Sequence, residues 1–155
     1  MGMIPKSLQA LFNDAWKMEE NTILVGTALS NGVGQISPRG SASVYDDDHF
    51  SLWERGRGTT NALFHDGTVT TLFFRDLKLR EQGLLPIGGI ARFYGTAKLY
   101  KSGSVYDEVW KRLRQGERQW DPDKKGFAVL IKVDRAEDLL GAPLSQSGFK
   151  RSELS

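Results

Sequence analysis

Between Ser37 and Asn61 the chain reads Ser37-Pro38-Arg39-Gly40-Ser41, then, after a polar turn, Leu52-Trp53-Glu54-Arg55, then Gly56-Arg57-Gly58-Thr59-Thr60-Asn61. The first segment opens a strand, the second closes the next strand, and the third is a Gly-, Arg- and Thr-rich turn into a short helix. Arg39 is followed by Ser41 and Ser43 at alternate positions, so in a strand both hydroxyls project to the side of Arg39. A guanidinium with neighbouring hydroxyls suits a phosphate dianion through charge-assisted, often bidentate bonds. Arg55, Arg57, Thr59, Thr60 and Asn61 surround Gly56 and Gly58, and a helix starting near Thr59 turns unpaired N–H groups toward an anion. Trp53 supplies a flat aromatic in the same stretch. Each segment also has an ordinary reading: an edge strand guarded by Pro and Arg, a capped helix after a flexible turn, and a core tryptophan.

Outward from this stretch, the elements are mostly strands. Leu8, Leu11, Phe12 and Ala15 recur at helical spacing after Pro5 and predict an amphipathic helix ending near Met18. Thr22 to Leu29 is β-branched and apolar, and Ser30-Asn31-Gly32 supplies the positive φ angles of a tight hairpin leading back through Val33 to Tyr45. Asp46-Asp47-Asp48 is a polar turn. In the strand from His49 to Trp53, alternation puts Phe50 and Leu52 on one face. Thr59 to Phe64 reads as the short helix, and Asp66-Gly67 as a turn into a strand from Thr68 to Phe74. Gly88 to Tyr100 is a longer strand in which Gly95 predicts a bulge or a close backbone approach. Ser104 reads as the N-cap of a helix lined by Val105, Val109 and Leu113, and Phe127 to Val133 as the last strand. Residues 1–155 are one domain with an extended polar tail from about 141. The fold class is mainly β: a six-stranded antiparallel barrel with flanking helices.

The totals exclude several chemistries. The chain has 155 residues, 39% apolar and 26% charged, and its 21 Lys and Arg nearly cancel 19 Asp and Glu, so no strong field invites nucleic acid. Arg75, Arg92 and the basic Lys111 to Arg118 region read as solvated rims. There is no cysteine, hence no disulfide framework and no thiolate metal site. His49 and His65 have no partner at metal-ligand spacing, and the Asp46 to Asp48 turn lacks a calcium-loop pattern. Ser37 and Ser41 have no nearby histidine and no nucleophile elbow. The N-terminus carries no long apolar run and no stretch approaches a bilayer span, so the expectation is a cytoplasmic protein with no membrane and no nucleic-acid partner. Trp16, Trp110 and Trp120 lack polar company and are expected to be packing or interface residues.

Taken together, Ala28-Leu29-Ser30-Asn31-Gly32, Ile36-Ser37-Pro38-Arg39-Gly40-Ser41, Leu52-Trp53-Glu54-Arg55 followed by Thr59-Thr60-Asn61-Ala62-Leu63, and Ile90-Ala91-Arg92-Phe93-Tyr94-Gly95-Thr96-Ala97 resemble the pyridoxamine 5′-phosphate oxidase-like superfamily of FMN-binding split barrels. The resemblance implies a homodimer with FMN between subunits. Arg39, Ser41, Arg57, Thr59 and Thr60 would approach its phosphate, Gly40 would let the backbone close on it, and Trp53 and Asn61 would line its site. It also implies that the flavin carries hydride or electron transfer to a small-molecule substrate while the protein supplies position and excludes water. A deazaflavin coenzyme in the same fold is the alternative, its charged tail meeting Arg39, Arg55 and Arg57. A cofactor-binding or redox-sensing protein without turnover is a third reading, since no residue stands out as a general acid or base. Pyridoxamine 5′-phosphate oxidases themselves end in an Arg-x-His motif, and this chain has no histidine after His65. It also has Gly58 and Thr59 where they carry an Arg/Lys pair, and Ile90 where they carry a flavin-contacting Gln, so the vitamin B6 reaction is not implied.

Overall fold

The Asn31-Gly32 signal forms its hairpin: Gly32 sits at φ 84° and donates its N–H to the Leu29 carbonyl, while the Leu29 N–H bonds the Val33 carbonyl. It joins β1 (Leu24–Ala28) to β2 (Gly34–Pro38). The structure, a computed structural model, describes residues 2–17, 23–29, 31–55 and 64–144. The short helix expected at 59–64 lies outside them except for Phe64, as does the tail beyond Leu144. The remaining strands are β3 (Ser43–Val44), β4 (His49–Glu54), β5 (Val69–Arg75), β6 (Ile90–Tyr100) and β7 (Phe127–Glu137), and the helices are α1 (Lys6–Asp14), α2 (Leu77–Glu81), α3 (Ser104–Arg112) and α4 (Gln115–Gln119).

All strand pairs are antiparallel, in the order β2-β1-β5-β6-β7-β4-β3, one curled sheet with helices packed on it. The mainly β split barrel is therefore the fold. The described residues carry seven strands where six were expected. The single strand read from Val33 to Tyr45 is divided because the Ala42 N–H turns back to the Arg39 carbonyl at 3.1 Å, so Arg39 to Ala42 form a corner. Gly95 marks a register shift between β6 and β7, and a Cβ there would run into the Lys132 carbonyl. Ser104 does not cap α3; Gly103, at φ 93°, occupies the cap position with no side-chain bond. Asp76 does cap α2, its Oδ1 accepting the Leu79 N–H at 2.9 Å.

Two apolar clusters hold the sheet. Phe12 of α1 meets Phe50, Phe74 and Phe93 at centroid distances of 5.9, 5.0 and 5.4 Å, joining β4, β5 and β6 inside the curl. On the other side, Val109 and Leu113 pack with Trp53, Ala128 and Leu130. Burial from both sides explains why β4 is inaccessible along almost its whole length. It also fixes the end of β4 rigidly beside the Arg39 corner.

Candidate functional site

Three segments meet where β2 ends. The corner from Arg39 to Ser41 follows β2, Glu54 ends β4 with Arg55 just after it, and the flanks of α4 touch both, Arg114 at the Gly40 carbonyl, Trp120 at Arg55 and Asp121 at Trp53. Arg39 Nη2 lies 3.1 Å from Glu54 Oε2, with side-chain exposures of 19% and 4%. The Arg39 guanidinium also stands 5.7 Å from the Phe64 ring centre. Residue type alone gives Glu54 no role; the available signal is its place directly before Arg55 in Leu52-Trp53-Glu54-Arg55.

Two guanidinium donors here are buried without a hydrogen-bond partner among the described residues, Arg39 Nε and Arg55 Nη1. A buried N–H left unbonded is costly, so such groups mark places where an anion or another acceptor completes the structure. A guanidinium N–H is by charge a suitable donor to a phosphate oxygen.

Ser41 is committed elsewhere. Its hydroxyl accepts the Trp53 N–H at 3.1 Å and reaches the Trp53 carbonyl at 3.4 Å, extending the β3–β4 ladder by one side chain. Beside it a cavity of about 410 Å³ opens, lined by Asn13, Gly40, Ser41, Ser43, Arg112 and Arg114 among others. The Gly40 carbonyl accepts from Arg114 Nη2. A Cβ on Gly40 would meet the end of the Glu117 side chain, which would have to swing aside. Arg57, Thr59, Thr60 and Asn61 lie outside the described residues.

Trp53, expected to line the ring site, is packed within this chain. It is 3% exposed and packs with Tyr106 and Trp110 at 5.1 and 5.0 Å, and its Nε1 donates to Asp121 Oδ2 at 2.8 Å. The cause is α3, which covers the outer face of β4 and leaves the indole no free surface. Asp121 in turn accepts the Lys125 and Gly126 N–H groups at 3.0 and 2.8 Å. Burial disfavours its charge, but the bonds from Trp53, Gly126 and Lys125 and the nearby Arg55 charge outweigh burial and hold its pKa below the ordinary value. Trp120, by contrast, is 61% exposed, with the Arg55 guanidinium 5.6 Å from its ring centre. The sequence reading had set Trp120 aside for lack of polar company.

On the opposite rim, Glu137 is enclosed by Tyr94, Arg92 and Arg135, whose donors stand at 2.7, 2.9 and 2.5 Å. Arg92 and Tyr94 border a mostly apolar groove of about 730 Å³ across β2, β1, β5 and β6, with Ile36 74% and Val69 69% exposed at its walls. Among the described residues, no helix is long and apolar enough to cross a membrane.

The curled sheet, its strand order and its flanking helices make this chain a split barrel like those of FMN-binding and pyridoxamine 5′-phosphate oxidase-family proteins. HupZ of Group A Streptococcus superposes with a TM-score of 0.62 at 23% identity, covering 96% of this chain and 98% of that one. A Clostridium acetobutylicum protein related to general stress protein 26, of the pyridoxinephosphate oxidase family, has a TM-score of 0.53 at 15% identity, covering 86% and 88%. An FMN-binding protein from Syntrophomonas wolfei has a TM-score of 0.52 at 15% identity, covering 90% and 88%. No family model and no curated protein matches the sequence.

Proposed function

We propose that this chain is an FMN-binding flavoprotein acting as an oxidoreductase on a small molecule, and that it works as a homodimer. The observation that carries the reading is the pair of buried, unbonded donors, Arg39 Nε and Arg55 Nη1, at the corner where a phosphate-bearing tail was expected from the sequence. Arg39 is oriented by Glu54, so its remaining N–H groups are aimed before any ligand arrives. Preorganisation of this kind lowers the entropy cost of gripping an anion. Bound flavin would supply hydride or electron transfer. The chain's own part is to hold the phosphate, orient the ring and keep water away.

The apolar groove across β2, β1, β5 and β6 supports the homodimer. Ile36 and Val69 stand exposed on neighbouring parts of one sheet face, a surface a second copy would cover. The test of function is direct: purified protein is titrated with FMN and with riboflavin, and any chromophore it carries is released and weighed. Saturable FMN binding that exceeds riboflavin binding supports the phosphate corner, and NADH or NADPH turnover of the loaded protein supports the oxidoreductase. A released deazaflavin would replace FMN in the same corner. Failure to bind either flavin would refute the reading.

A further inference from the structure

Two strand glycines stand where nothing in the chain requires them. Gly26 of β1 and Gly34 of β2 have no positive φ, so an L side chain suits either backbone. A Cβ on Gly26 would make only ordinary contacts, with the Gln35 and Thr71 carbonyls at 3.7 and 3.8 Å and the Ile36 side chain at 3.9 Å, and one on Gly34 would meet nothing. A glycine inside a strand forgoes packing and costs conformational entropy. Where its own chain does not need it, it marks a place that another group approaches closely.

The register sets that place beside an apolar knob. Gly26 pairs with Ile36 on one side and Thr71 on the other, and paired residues project from the same face of a sheet. Ile36, 74% exposed, therefore stands next to a trough with no side chain at its floor, within the groove across β2, β1, β5 and β6. A knob and a hole on one face suit a twofold contact, because each copy can seat its knob in the other's hole. Charge points the same way. The groove's one charged lining residue, Arg92, is neutralised by Glu137. Farther along the same face, where Val69 pairs with Thr96 and Thr96 with Lys132, Lys98 and Lys132 border another cavity and form no ion pair among the described residues. Two copies of that lysine half would repel, whereas two copies of the groove half bury no unpaired charge.

We infer that Ile36 of each copy packs over Gly26 of the other, making Gly26 the residue that sets the geometry of the pair. The inference rests on the homodimer reading and deepens it from a face to a contact.

The chain contains no cysteine, so single Gly26→Cys and Ile36→Cys variants of the full chain report the contact without background. Mixed and mildly oxidised, they are expected to yield a covalent heterodimer joining position 26 of one chain to position 36 of the other, identified by peptide mass and in greater yield than either variant oxidised alone. Gly26→Val, which the chain's own contacts accommodate, is expected to weaken dimerisation roughly 5- to 140-fold in sedimentation equilibrium while the far-UV spectrum stays that of wild type. If wild-type protein dimerises but the mixed disulfide does not form and Gly26→Val pairs as tightly as wild type, the contact between Ile36 and Gly26 falls and the homodimer stands on another face. If wild-type protein is a monomer, both fall together. Should Gly26→Val fail to fold, the mixed disulfide decides alone, its absence overturning the contact.

Discussion

Arg39 and Glu54 form an ion pair of 3.1 Å across the ends of β2 and β4, with the carboxylate 4% exposed. A pair this buried contributes less to net stability than its Coulomb attraction suggests, because both ions lose water. Its clearer effect is geometric: one arginine edge is fixed on Glu54 and another donor is left open.

Arg39→Ala is therefore expected to reduce FMN affinity by about 1.5 to 3 kcal/mol, roughly 10- to 150-fold. Riboflavin affinity should stay near its wild-type value. Calorimetric titration of both ligands checks this. Equal losses would mean that Arg39 acts through folding, which the buried Glu54 left behind could cause.

Trp53→Phe keeps an aromatic ring between Tyr106 and Trp110 but removes the donor to Asp121. A hydrogen bond to a charged group contributes about 1.5 to 3 kcal/mol, and urea unfolding should register a loss of that order. An unchanged midpoint would show that the Lys125 and Gly126 N–H groups alone suffice to hold Asp121.

Placing a charge on the exposed sheet face tests the proposed homodimer. Ile36→Lys and Val69→Asp sit at positions 74% and 69% exposed in one chain, so neither should unfold it. Each should convert the dimer to a monomer in sedimentation velocity, because an unpaired charge in a dry interface is strongly unfavourable. Wild-type protein that sediments as a monomer at all concentrations would refute the dimer itself.

Acid stability should depend on Glu137. The Tyr94 hydroxyl bond is the leading cause of its lowered pKa; burial opposes it, and Arg92 and Arg135 add to it. A carboxyl whose folded pKa is depressed contributes stability above its ordinary value of 4.5 and loses it as pH falls through the folded pKa. Unfolding midpoints should thus decline for wild-type protein as pH drops below that value, and Glu137→Gln should flatten the decline while starting from a lower plateau. Parallel curves for the two proteins would assign acid sensitivity to other groups.

Much of the sheet was legible because local signals and tertiary pairing agree. Asn31-Gly32 and Asp66-Gly67 supply the positive φ angles of their turns, and Gly95 admits the Lys132 backbone at its bulge. α4 was not legible, since Gln115 to Gln119 is four polar residues and a glycine with no apolar period, held to a distant corner by the flanking Arg114 on the Gly40 carbonyl. Arg39 and Gly40 stand out by residue type, and the structure sets them in the corner after β2, beside Glu54 and Arg114 respectively. The division of labour between tryptophans was not. Trp53 and Trp120 are chemically identical, and only the path of α3 over β4 buries one and leaves the other open.

Because Arg114 spans from the foot of α4 to the Gly40 carbonyl, the helix and the corner cannot shift independently. A displacement of either is passed to the other through that guanidinium, with the Trp53–Asp121 bond holding the far end of α4 in place. A probe on the outer surface of α4 would report filling of the corner without touching whatever fills it.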